Sequence, residues 1–167
     1  MNYADYKRFD MLNGPGVRHS LFVSGCHHRC KGCWNAIAWN FDFGFPYTTE
    51  TEDRIIDDLN MKEIPISGLS LLGGEPFEHP TVLTHLLSRI EKECQNKNVW
   101  CWTGFTFEEI LLDTEKRKML GHLHVLIDGK FELDKRDLRL KFRGSSNQRI
   151  IDVQKSIESE QVVPYKG

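Results

Sequence analysis

Cys26, Cys30 and Cys33 fall within eight positions of one another in the stretch SGCHHRCKGCW, and they are three of the chain's five cysteines. Thiolates grouped in this way are metal ligands by type. Steps of four and three residues, at no more than about 3.5 Å per residue, bring all three sulfurs around one small object. That object is a single metal ion or a single cluster. A structural zinc needs four ligands in a closed tetrahedron, and the fourth could come from His27, His28, Cys94 or Cys101. Zinc sites, however, usually come as paired CxxC or CxxC/HxxxH knuckles. A CxxxCxxC triplet with no fourth cysteine nearby suits an iron-sulfur cube in which one iron stays open, and an open iron can bind a small molecule. On the triplet alone, zinc and an iron-sulfur cluster both remain open.

Other residues carry weaker signals. Gly73-Gly74-Glu75-Pro76 places two glycines where the backbone could approach a ligand, although alone it reads as a strand-to-helix turn. His27 and His28 lie in the cysteine loop, which is expected to face solvent, so neither is assigned to metal. Cys94 and Cys101 read as buried, unreactive thiols. Trp100 and Trp102 alternate about Cys101 and face together, where they could pack the core or stack on adenine, with the core the default. Asp128 and Lys130 stand in a turn where they could contact a cofactor or partner, or equally pair with each other at little energetic value. Arg18 and Arg143 could each grip a carboxylate, but surface pairing is the default for a single arginine. No general acid and base pair stands out.

The elements that must position these residues alternate in type. His19–Ser24 is an apolar run that stops at Gly25, a strand delivering the chain into the cysteine loop. The aromatic, Gly- and Pro-bearing stretch 40–48 reads as a loop. Thr49 and Glu52 have capping-box spacing ahead of Ile55, Ile56 and Leu59 on one helical face. Leu69–Leu72 is a second strand ending at Gly73-Gly74, and Pro80 opens a helix carrying Val82, Leu83, Leu86, Leu87 and Ile90. Asn98–Trp102 is a third strand, Thr106 with Glu109 a second capping box, and His122–Ile127 a fourth strand ending at Asp128-Gly129. Strands alternating with helices imply a parallel sheet with functional loops at the strands' carboxyl ends. The segment 152–167 is polar and reads as a flexible tail.

With 167 residues and 40% hydrophobic content, the chain suits a single domain, 1–167. The 22 Lys+Arg against 24 Asp+Glu give a net charge of -2 with no basic block, which argues against a nucleic-acid partner. No apolar run approaches the roughly 20 residues of a membrane span, and the start lacks a signal peptide's apolar core. A cytoplasmic protein without a membrane partner is the expectation.

CHHRCKGCW resembles the CxxxCxxC-plus-aromatic signature of the radical S-adenosylmethionine enzymes, and GGEP resembles their GGE-type motif. A narrower likeness spans residues 1 to about 150. NGPGVR at 13–18, WCWTGF at 100–105, IDGKF at 127–131 and FRGSSNQR at 142–149 resemble segments of the activating proteins of anaerobic ribonucleoside-triphosphate reductase. Trp34 stands where these proteins usually carry Tyr, and Glu75 where they usually carry Asp. The resemblance implies an incomplete parallel β/α barrel and one 4Fe-4S cluster on Cys26, Cys30 and Cys33. S-adenosyl-L-methionine would sit between Gly32, Cys33 and Trp34 on the cluster side and Gly73, Gly74 and Glu75 on the methionine side. It also implies the reaction: one electron splits the cofactor into methionine and a 5'-deoxyadenosyl radical, which takes a hydrogen from a glycine of the reductase's large subunit. A flavodoxin-type protein would supply the electron. The other readings are an activase of a different glycyl-radical enzyme, a ferredoxin-like electron carrier and a zinc-stabilised binding module.

Overall fold

Apolar runs that end in glycine do become strands, and in the computed structural model, which describes residues 1–167, they lie side by side. The strands are Asn2–Asp10 (β1), Arg18–Val23 (β2), Phe45–Pro46 (β3), Gly68–Gly73 (β4), Asn98–Trp102 (β5), Val125–Asp128 (β6) and Arg149–Asp152 (β7). The helices are Thr49–Leu59 (α1), Pro80–Glu93 (α2), Phe107–Leu111 (α3), Thr114–Leu120 (α4) and Val153–Ser159 (α5). Together they form a mixed α/β domain on one seven-stranded sheet, ordered β3-β1-β2-β4-β5-β6-β7. The central four strands, β2, β4, β5 and β6, run parallel, while β1, β3 and β7 pair antiparallel at the two flanks. No helix is long and apolar enough to cross a membrane.

Strand alternation sorts the core. Leu21, Val23, Leu69, Leu71, Val99, Cys101 and Leu126 share the face that packs on Ile55, Ile56 and Leu59 of α1 and on Leu83, Leu86, Leu87 and Ile90 of α2. Truncation there, Leu71→Ala for example, costs about 2–5 kcal/mol. The opposite face is no more exposed: Trp100, Val125 and Ile127 form a smaller cluster joined by Phe142 and Tyr165. Burial on both faces is why these strands read as continuous apolar runs.

The differences from the sequence reading have physical causes. Strand β1 is absent from that reading because NYADYKRFD has one half-exposed face and no apolar run. Helix α1 is capped by Thr48, one residue earlier than the Thr49 and Glu52 spacing indicates. The Thr48 hydroxyl accepts from Thr51 N at 3.2 Å, and the Thr51 hydroxyl accepts from Thr48 N at 3.3 Å. Glu52 instead accepts from the Tyr47 hydroxyl at 3.0 Å and pairs with Arg89 at 3.2 Å. Segment 152–167, read as a flexible tail, contains α5, and its Tyr165 ring stands edge-on to Trp100 at 5.2 Å.

Candidate functional site

The carboxyl ends of all four parallel strands open into one cavity of about 210 Å³. From β2 and its loop come Cys26, His28, Cys30, Cys33 and Trp34. Strand β4 and the turn after it contribute Leu72, Gly73, Gly74 and Glu75, and β5 and its following turn contribute Trp102, Thr103 and Gly104. Gly129 and Phe131 after β6, with Gly144 and Gln148, close the far side. Carboxyl-end loops of adjacent parallel strands are where this kind of sheet binds its ligands.

Backbone bonds fasten the cysteine loop before any side chain acts. Gly25 N donates to Ala38 O at 2.7 Å and Cys26 N to Trp39 O at 3.2 Å, so the short 3-10 helix Ala36–Trp39 straps the loop's start. Gly25 O in turn accepts from Glu75 N at 2.8 Å, which ties the loop to the turn after β4. Gly74 lies under this crossing. A Cβ there would stand 2.7 to 3.0 Å from the carbonyls of Gly25, Val23 and Ala38, so no side chain fits. The indole N–H of Trp39, in the cavity lining, is buried without a partner.

All five cysteines are free thiols, and only the three of the triplet line this cavity. Burial pushes the Cys26 thiol up, and the backbone N–H groups of His28 and Arg29 pull it back. Burial likewise raises Cys30, opposed by the backbone of Phe131. Peptide N–H groups aimed at sulfur are the surroundings a thiolate ligand needs. Cys101 is fully buried on the helix side of the sheet and pushed well above its ordinary value by that burial. Cys94 lines a separate cavity beside Lys97 and His124. Neither can join the triplet.

Four readings of the remaining residues change. Gly32 does not line the cavity; a side chain there would run into Leu133. Trp100 is core, but Trp102 reaches the cavity and donates its indole N–H to Phe142 O at 2.7 Å. Asp128 accepts from Nε and Nη2 of Arg149 and from Phe107 N, the last at 2.8 Å, and it makes no pair with Lys130. Arg18 is wholly buried rather than a surface partner, and Arg143 donates to Gln148 O at 2.8 Å.

The histidines of the cysteine loop also separate. His27 is 73% exposed and pairs with Glu78, as a solvent-facing loop would have it, whereas the His28 side chain is only 8% exposed and sits 2.7 Å from Glu75. Glu75 itself is 1% exposed, and its carboxylate is filled by the chain's own donors. Spacing within the motif carries no signal for this. It depends on where β5 ends.

Comparison with known proteins agrees with this geometry. Residues 12–151 match the family model of the 4Fe-4S single cluster domain. The chain is 46% identical over 153 residues to the anaerobic ribonucleoside-triphosphate reductase-activating protein of Pasteurella multocida, covering 90% of this chain and 96% of that one. It is 45% identical over 150 residues to the protein of that name from Escherichia coli K12, covering 89% and 96%. The corresponding protein of Enterobacteria phage T4 is 38% identical over 152 residues, covering 90% and 93%.

Proposed function

The chain belongs to the anaerobic ribonucleoside-triphosphate reductase-activating proteins, and from that premise we propose that it is a radical S-adenosylmethionine activase with its cluster on Cys26, Cys30 and Cys33. It is an activating enzyme with a 4Fe-4S domain, and its target is the anaerobic reductase. The observation that carries the residue assignment is the convergence of three unpaired thiols in one cavity with the Gly73-Gly74 turn.

The donor set fits the cluster: three sulfurs, each facing a peptide N–H group, with no fourth cysteine in reach to close the last iron. Bound together, cluster and S-adenosylmethionine supply one-electron cleavage of the sulfonium C–S bond and removal of a hydrogen atom from a glycine of the reductase. The residues around them bind and orient. Gly73 and Gly74 keep the wall beside the thiols free of side chains. Trp102 and Phe131 give the cavity apolar surface, and Trp34, 67% exposed with Arg136 over its ring at 4.6 Å, stands at the rim. The matching fold reading is an incomplete parallel barrel, its sheet ending at β3 on one side and at β7 on the other, where residues 163–165 bond along β7. Reduction by a flavodoxin-type carrier in the cytoplasm belongs to the same reading.

Electron paramagnetic resonance tests this directly. Anaerobically reconstituted, dithionite-reduced protein is expected to give a 4Fe-4S signal whose shape changes when S-adenosylmethionine is added. A signal indifferent to the cofactor would leave an electron carrier as the better reading.

A further inference from the structure

We infer that His28 is a positioning residue that locks the cysteine loop onto the turn after β4, and that the Glu75 carboxylate is the anchor of this lock rather than the receptor of a cofactor amino group. The cluster and cofactor in this statement rest on the proposed function above.

The geometry is that of a three-way tie. Glu75 Oε1 accepts from His28 Nε2 at 2.7 Å and from Gly104 N at 2.7 Å. Oε2 accepts from Phe77 N at 2.9 Å, and the Thr103 hydroxyl lies 2.9 and 2.8 Å from the two oxygens. A carboxylate only accepts, so Nε2 of His28 carries the proton it donates. Each oxygen offers two lone pairs, and donors from three segments have taken them: the cysteine loop, the turn after β4 and the turn after β5. An ammonium group could reach this carboxylate only by displacing one of them and leaving a buried donor unpaired. The backbone oxygens of the Gly73-Gly74 turn remain to receive it.

His28 is shaped into this position by its neighbours. Its ring stands edge-on to Phe105 at 4.5 Å. Gly104 lies against it so closely that a Cβ there would come within 2.8 Å of Nε2, so only glycine admits the ring. His28 sits midway between Cys26 and Cys30, so holding its side chain holds the span that carries both sulfurs. Groups that orient metal ligands from outside the coordination sphere are worth roughly 10–100-fold in metal affinity.

The test separates a hydrogen bond from packing. His28→Phe keeps a ring against Phe105 and Gly104 but removes the donor; His28→Gln keeps a donor at similar reach and removes the ring. In reconstituted protein, anaerobic iron release to a chelator is expected to speed up roughly 10–100-fold in His28→Phe and to stay near wild type in His28→Gln. In the metal-free protein, amides of residues 25–33 are expected to exchange hydrogen faster in His28→Phe than in His28→Gln. The reverse order, with Phe mild and Gln severe, overturns the lock, as does a His28→Phe protein indistinguishable from wild type. Glu75→Gln places an amide NH2 against donors and is expected to loosen the same amides without metal. If it leaves them protected and only weakens S-adenosylmethionine binding, the carboxylate is an amino-group receptor and the inference fails. A wild-type protein that takes up no cluster would sink the proposed function, while the metal-free exchange comparison still decides the lock.

Discussion

At the amino ends of β2, β4 and β5, Arg18 is wholly buried and its guanidinium is used up by neighbours. Nε donates to the Ser70 hydroxyl at 2.8 Å, one arm to Asn98 Oδ1 at 2.6 Å, and the other to Leu69 O at 3.0 Å. Burial pulls its pKa down to about 10, still far above neutrality, so it stays charged. Asp10 beside it is equally buried; burial would raise its pKa, but donors from Asn13, Ser20 and Leu12 outweigh that and hold it below the usual range. At the carboxyl ends of the same strands, three thiols face a cavity, each with a peptide N–H group beside its sulfur. One end closes its polar groups on each other and the other leaves its reactive groups open. Closed networks add rigidity and uniqueness, and open ones do chemistry. Glu75 lies at the open end but is built like the closed one, which marks it as scaffold.

Mutations should tell the two ends apart, and the sharpest contrast comes from the cysteines. Cys26→Ala, Cys30→Ala or Cys33→Ala is expected to reduce glycyl-radical formation on the reductase to background while changing the metal-free melting temperature little. Cys94→Ser should keep full radical yield; a radical signal surviving in any triplet variant would break the assignment. Arg18→Met inverts the pattern. It strands Ser70, Asn98 and backbone carbonyls without their donor, a loss of about 3 kcal/mol in urea unfolding, while the cluster signal of the folded fraction stays as in wild type. A loss below about 0.5 kcal/mol would mean the closed end contributes little.

Trp34→Ala probes the rim. With two-thirds of its surface exposed, it should change stability by no more than about 0.5 kcal/mol, yet weaken S-adenosylmethionine binding measured by titration calorimetry. Unchanged affinity would remove Trp34 from the site. The smallest effect is one of pH at the closed end, where burial holds His19 and His124 below the ordinary 6.5. Both use Nδ1 to accept a backbone N–H, from Phe9 and Val99. As pH falls through about 6.5 the unfolded chain takes up these protons first, so stability present above that pH is lost below it. The metal-free melting temperature should therefore drop from pH 7.5 to pH 5.5; a flat profile would contradict the burial of these rings.

Much of this was readable in one dimension. The four parallel strands, helix α2 from Pro80 and the loops at Gly25, Gly73-Gly74 and Gly104 follow from apolar runs cut by glycine, because that pattern is local. Strand β1 escaped because its partner β2 supplies the burial that its own sequence does not advertise. The C-terminal segment escaped for the same reason: α5 follows β7, which is held by pairing with β6.

The site divides along the same line. The sequence by itself determined that three thiols must share one object, because no chain can separate residues four and three apart by more than a few ångströms per step. It determined, too, that glycines flank them after two strands. Only the tertiary structure decided that His28 turns inward while His27 turns out, that Trp102 and Gln148 reach the same cavity, and that Glu75 holds three loops at once. Those facts depend on which strand ends are neighbours. The ordering β2-β4-β5-β6 brings together residues up to 122 positions apart, Cys26 and Gln148, and spacing along the chain carries no information about that adjacency.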